Sequence, residues 1–141
     1  KFKEDKSIPN GSSIAFIMEY EDKNFLFLGD AHPSVVVEGL NKFEIDKENS
    51  LQTELIKISH HGSKHNTDLE LLSMIKTNNY LISSNATQHG LPNKRTIARI
   101  IKNNPNANIH FNYDISTKII TDEDFNDFEY FKISSKNEFN Y

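Results

Sequence analysis

Two adjacent histidines, His60 and His61, end the apolar run Leu55-Ile56-Lys57-Ile58-Ser59 and are followed at once by Gly62 and Ser63. The run is short enough to be a β-strand, so the imidazoles sit at a strand tip, where a rigid scaffold can aim a ring nitrogen at a metal ion or a substrate. A second run, Phe25-Leu26-Phe27-Leu28, ends in Gly29-Asp30. One carboxylate with imidazoles at a sheet edge is a metal-ligand set that zinc, manganese and iron all accept. A carboxylate can also bridge two ions and so hold an activated water between them. Taken singly, Asp30 reads as a turn residue and each histidine as a solvated loop residue; it is the pairing that favours a metal. A Ser-His-Asp nucleophile is disfavoured, because no serine lies in a Gly-x-Ser-x-Gly pattern. No phosphate-binding glycine loop or dinucleotide fingerprint is present.

The elements that must position these groups follow from periodicity. Residues 1–9 are polar and read as a linker or frayed end, and 10–141 as the folded unit. Asn10-Gly11-Ser12-Ser13 is a turn, Ile14–Tyr20 a strand, and Glu21-Asp22-Lys23-Asn24 a hairpin turn into Phe25–Leu28. A helix is expected over 34–41 and a loop over 42–54. Asn66-Thr67-Asp68 caps a helix running to Asn78-Asn79, and Tyr80–Ser84 is a strand. A polar loop through Gln88-His89-Gly90 leads to a helix capped by Asn93 and closed at Asn103-Asn104-Pro105. Ile109–Tyr113 and Lys118–Ile120 read as a last pair of strands. Residues 121–141 have no assignable pattern, although Phe125, Phe128, Phe131 and Ile133 suit an amphipathic edge. The alternation of elements implies an α/β (α+β) fold, a mixed sheet with helices on one face. If the strands before Asp30 and His60 are parallel neighbours, their tips share one edge.

Composition sets limits. The 141 residues suit one domain, and 36% hydrophobic with 26% charged residues is a globular balance. A net charge of −4 gives no support to a general nucleic-acid-binding surface, leaving nucleic acid as a substrate only. With no cysteine there is neither a disulfide nor a thiolate zinc site. No segment is apolar enough over its length to span a membrane and the first residues are not a signal peptide. The compartment stays open, with a cytoplasmic location favoured.

Three blocks together carry a resemblance: Asn10-Gly-Ser-Ser-Ile-Ala-Phe-Ile, Phe25-Leu-Phe-Leu-Gly-Asp30-Ala, and Ile56-Lys-Ile-Ser-His60-His61-Gly-Ser. In this order they resemble the C-terminal half of metallo-β-lactamase-fold hydrolases, nearest the branch of competence-type DNA-uptake hydrolases and related phosphodiesterases. The segment from Leu81 through His89 to Asn93 resembles that branch's next block. The resemblance implies half of an αββα four-layer sandwich and a metal-dependent hydrolase, acting on a phosphoester through metal-activated water. It implies Asp30 as the bridging carboxylate, His61 as the late histidine ligand with His60 as the alternative, and His89 beside the substrate. The cofactor would be zinc, with manganese as an alternative, two ions in the intact protein. His32 and His65 read as solvated and His110 as structural. The family's His-x-His-x-Asp-His motif is absent, and Asn10 stands where many members carry a ligand histidine. The expectation is therefore a C-terminal portion of a longer hydrolase, inactive alone, whose partner is the missing N-terminal half or a second copy of the chain. The alternative is a degenerate module of that fold that binds a partner without catalysis.

Overall fold

The fold is that of a computed structural model describing residues 1–87, 89–128, 130–136 and 138. A six-stranded mixed sheet organises it, in the order β1 (Phe16–Tyr20), β2 (Lys23–Phe27), β4 (Leu55–Lys57), β6 (Asn79–Ile82), β7 (Asn108–Phe111), β8 (Lys132–Ser135). Only β1 runs antiparallel, as one arm of a hairpin with β2; every other neighbouring pair is parallel. The two short strands β3 (Leu51–Gln52) and β5 (Ile75–Lys76) form a separate parallel pair.

Strand alternation divides the sheet into two unlike faces. The row Ile17, Leu26, Ile56, Tyr80, Ile109 and Ile133 lies in register across all six strands. Against this face pack Val36 and Leu40 of α2 (Pro33–Asn41), Leu71 and Leu72 of α3 (Leu69–Ser73), and Ile97, Ile100 and Ile101 of α4 (Lys94–Asn103), closing one apolar core. The helical period of those side chains is what lets each helix bury one stripe. The opposite row is Phe16, Phe27, Lys57, Leu81, His110 and Ser134. None of these joins the core, and Phe16 and Met18 are exposed. Phe16 and Phe27 stack on this face with ring centroids 5.1 Å apart.

Several elements differ from the sequence expectation, each for a local reason. The Asn10 turn is the end of a single-turn helix, α1 (Ile8–Gly11), started by Pro9 in its first turn. Asp68 caps α3 by accepting from Leu71 N at 2.9 Å, but α3 stops at Ser73 because Ile75 and Lys76 are taken up by pairing with β3. That pairing also gives the expected loop over 42–54 its short strand. Asn93 stands at the N-cap of α4, yet its side chain accepts from Lys64 N and donates to Gly90 O instead of capping. Lys118–Ile120 is not a strand: Ser116–Ile119 is one helical turn, α5, whose short polar sequence has no strand neighbour. The edge strand is β8, reached through α6 (Asp122–Asp127). A capping box closes α6, with Asp124 Oδ2 accepting from Thr121 N and Oγ1. Its Phe125 stacks on Phe131 at 5.0 Å.

Residues 1–9, expected to be a linker or frayed end, are bound along their length. Asp5 N donates to His65 O at 3.0 Å, Glu4 accepts from Ser34 N, and the Arg99 guanidinium lies 4.9 Å above the Phe2 ring. Specific side-chain partners outweigh the polar composition that suggested disorder.

Candidate functional site

β2 and β4 are parallel neighbours, paired from Phe25–Leu55 to Phe27–Lys57, so their C-terminal tips lie side by side. His60 N donates to Gly29 O at 2.9 Å and ties the two tips together. The chain then turns sharply through three left-handed residues, His60 (φ 44°), His61 (φ 54°) and Gly62 (φ 84°). Two consecutive non-glycine residues in that region are strained, a condition that clusters where side chains are held for a task. Gly62 is required by contact as well as conformation, because a Cβ there would lie 2.7 Å from Pro92 Cβ. Gly29, also left-handed, faces Ser13 Oγ, where a Cβ would come to 2.6 Å.

The turn aims the two imidazoles in different directions. His61 is exposed, with Nδ1 2.7 Å from the Ser83 carbonyl oxygen. A carbonyl only accepts, so Nδ1 carries the proton and Nε2 is the lone-pair nitrogen. His60 Nδ1 lies 3.1 Å from Asn66 Oδ1 and 3.2 Å from Asn10 Nδ2. Asn66 Nδ2 donates to both Asp5 Oδ2 and Asp30 O, which fixes its amide with Oδ1 facing His60. Asn66 Oδ1 can accept from an Nδ1–H, whereas Asn10 Nδ2, held as a donor to Asp5 Oδ2, calls for a lone pair on Nδ1, so the contacts of His60 suit either tautomer.

Behind His60 lies a polar cluster centred on Asp5. Its Oδ2 accepts from Asn10 Nδ2 at 2.6 Å and from Asn66 Nδ2 at 3.2 Å, and its Oδ1 accepts from Ser7 N at 2.9 Å. Desolvation raises the Asp5 carboxyl, but hydrogen bonds from Asn10, Ser7 and Asn66 outweigh it and hold the pKa well below the usual carboxylate range. Oδ2 is also 3.7 Å from His60 Nδ1 and 3.9 Å from His32 Nε2. His32 was expected to be solvated; its side chain is only 14% exposed, packed beside Asp5 and Gly11. His65 is half-buried, its Nδ1 2.6 Å from Lys3 O, so it anchors the N-terminal segment rather than facing water. His110 is structural as expected: it is 7% exposed, between Ser134 Oγ at 2.6 Å and Asn79 Oδ1 at 3.1 Å. Burial, with Lys136 adding repulsion, lowers its pKa to about 4.

In front of the turn opens a cleft of about 440 Å³ lined by His60, His61 and His89 with Asn85, Thr87 and Tyr113 among others. Among the described residues, none that lines it is acidic. His89, in the left-handed region at φ 56°, lines the same cleft; its neighbour Gln88 lies outside the described residues. Asp30 does not line it. Its backbone N–H receives Ser13 Oγ as acceptor at 2.9 Å, and its carboxylate favours the charged form of Lys57, whose ammonium burial pushes down.

The structure thus gathers His60, His61 and His89 about one cleft and leaves Asp30 at the adjoining strand tip. His61 has the backbone-carbonyl tie on one ring nitrogen that metal-ligating histidines characteristically make, and His60 is held by two amides through Nδ1. Among the described residues, however, no three His, Asp or Glu side chains converge closely enough to hold a metal ion. Two imidazole donors fit a metal; a complete site does not fit within these residues. The sequence reading missed Asp5, hidden in a polar terminus, and saw Asn66 only as a helix-start residue. The available signal was Asn66 next to a predicted strand tip, where a polar side chain is needed to orient histidines. Among the described residues no helix is long and apolar enough to cross a membrane. Comparison with known proteins gives no matching family model, no matching curated protein and no matching solved structure.

Proposed function

We propose that this chain is one wall of a metal-dependent phosphoester hydrolase, donating His61, with His60 beside it, to a divalent ion whose other ligands come from a partner segment. The observation that carries the reading is His61: the Ser83 carbonyl holds its Nδ1–H and leaves Nε2 as the lone-pair nitrogen, beside a cleft that His60 and His89 also line. An ion held there, zinc or manganese, supplies water activation and polarisation of a phosphoryl oxygen. Asp30, at the neighbouring tip, is the carboxylate that a modest movement or the partner's approach brings to the same ion. His89, Asn85 and Tyr113 line a cleft to which no carboxylate among the described residues contributes, which suits a phosphate group. His89 would steady that phosphate. The sheet face carrying Phe16, Met18 and Phe27, uncovered by the core helices, suits a second sheet packed as in an αββα four-layer sandwich. A partner segment that completes such a sandwich, an N-terminal half or a second copy of the chain, would also supply the remaining ligands.

A second reading has its own observation. The Asp5–Asn66–His60 cluster satisfies its polar atoms without any ion, and no three-ligand set exists among the described residues. On that reading the cleft binds a partner without catalysis. Calorimetric titration with Zn²⁺ separates the two. The hydrolase reading expects one site weaker than a structural zinc centre, with affinity lost about ten-fold or more in His61→Ala and unchanged in His65→Ala. No heat of binding, or equal binding by His61→Ala, would overturn it.

A further inference from the structure

β1 is an edge strand with neither side protected. Among the described strands it pairs with β2 alone, and all five of its residues are exposed. Phe16, Met18 and Tyr20 project on one face and Ile17 on the other, at 51%, 43%, 62% and 39% exposure. Edge strands in monomers are ordinarily guarded by lysine, proline, a bulge or a covering element. β1 carries no lysine or proline and, among the described residues, no covering strand; its one guard is the charge of Glu19.

The hairpin geometry fixes which backbone groups point outward. Glu21 and Asp22 both have positive φ (49° and 62°) and form the two-residue turn, so Tyr20 and Lys23 close the ladder as a hydrogen-bonded pair. Hydrogen-bonded and non-bonded positions alternate, so Phe16, Met18 and Tyr20 bond to β2 while Ile17 and Glu19 present N–H and C=O to the outside. Only an extended segment meets such groups at strand spacing.

We infer that the occupant is β1 of a second copy, paired antiparallel about a two-fold axis at Met18. That register makes Ile17 and Glu19 of one chain a hydrogen-bonded pair with Glu19 and Ile17 of the other, using every outward group between them. Phe16 faces Tyr20 across the interface on both sides of the axis, a favourable aromatic pair, and Met18 faces its own copy. The one charged residue meets an isoleucine, so no like charges are opposed. A self-complementary strand is what an isologous interface requires. The two sheets become one continuous sheet, and the Phe16–Phe27 face doubles in extent. This inference stands on β1 alone, whatever the cleft binds.

The absence of cysteine makes the test direct. At a non-hydrogen-bonded antiparallel pair the Cα atoms lie about 4.5 Å apart, within disulfide range. Met18→Cys should therefore cross-link to a covalent dimer under copper–phenanthroline oxidation, while Asn106→Cys, exposed in a distant turn, should not. Sedimentation equilibrium of the unmodified chain should give a dimer. Ile17→Glu opposes carboxylates twice per dimer and should weaken association about ten-fold. The double variant Ile17→Glu/Glu19→Lys should restore it by opposing a carboxylate to an ammonium. A monomer at 100 µM (about that concentration suffices for an interface of this kind), or a dimer that Met18→Cys does not cross-link, would overturn the proposal. So would equal cross-linking of both cysteine variants, or protection of the Ile17 and Glu19 amides in a monomer, which would mean that another segment of the same chain covers the edge.

Discussion

Asn66 Oδ1 lies 3.1 Å from His60 Nδ1, and through this one contact a fully buried amide holds the histidine ring at the strand tip. The same amide donates to Asp5 and to the Asp30 carbonyl, so it joins the N-terminal segment, the β2 tip and the β4 tip. Removing it should therefore act on stability and on the imidazole together. Asn66→Ala should destabilise the fold by about 1–2 kcal/mol, because it takes a hydrogen-bond partner from part-buried groups on Asp5 and His60 and from the Asp30 carbonyl. Urea denaturation measures this. In the same variant, if the hydrolase reading holds, Zn²⁺ affinity should fall about ten-fold, as when a group that orients a ligand histidine is lost.

Asp5 binds a segment whose composition suggests disorder. Asp5→Ala removes the acceptor for Asn10, Ser7 and Asn66. The expected result is release of residues 1–7, read as faster amide exchange at Asp5 and faster cleavage by trypsin after Lys3 and Lys6, with the core amides of β6 and β7 unchanged. Equal protection in both proteins would show that the remaining ties, the backbone bond of residue 5 to His65, the Glu4–Ser34 and Lys3–His65 contacts and the Arg99–Phe2 stack, suffice without the carboxylate.

Gly62 sits at φ 84° with Pro92 closing the space a side chain would need. Gly62→Ala should cost about 2 kcal/mol or more from conformation and overpacking combined. It should also disturb the His61–Ser83 tie, visible as a change in the His61 ring nitrogen shifts. Gly39→Ala, where a Cβ meets nothing within 4 Å on an α2 turn, should stabilise slightly and serves as the control.

His110 makes a specific acid response. Its pKa falls from an ordinary 6.5 to about 4 because burial disfavours the imidazolium. In this interval the unfolded chain holds the proton that the folded chain lacks. The stabilising effect of the neutral ring is therefore complete above about pH 6.5, and is lost as pH falls toward 4. The slope is at most about 1.4 kcal/mol per pH unit. His110→Gln, which keeps a polar group between Ser134 and Asn79, should flatten the dependence between pH 4 and pH 6.5, followed by urea midpoints across that range.

The sheet and its helices were legible because their signals are local. The continuous apolar run Phe25–Leu28, the apolar run Leu55–Ile58 broken only by Lys57, and the 3.6-residue spacing of Ile97, Ile100 and Ile101 each specify an element. The end of the chain was not legible: Lys118–Ile120 has strand-like residues but no strand beside it, while Lys132–Ser135, less apolar, finds β7. Pairing is a property of neighbours, which a local pattern does not record.

For the candidate site the division is similar. By itself the sequence placed His60 and His61 at a strand end and Asp30 at another, since glycine and a change of period mark where each strand stops. Only the tertiary structure decided that those strands are parallel neighbours, that Ser83 and Asn66 bind the two imidazoles through Nδ1, and that Asp30 stays outside the cleft. It alone brought Asp5 beneath His60, across 55 residues of chain. The reason is physical: strand tips are set by short-range backbone preferences, whereas a ring's tautomer and a carboxylate's partners depend on groups remote in sequence that meet only when the core has closed.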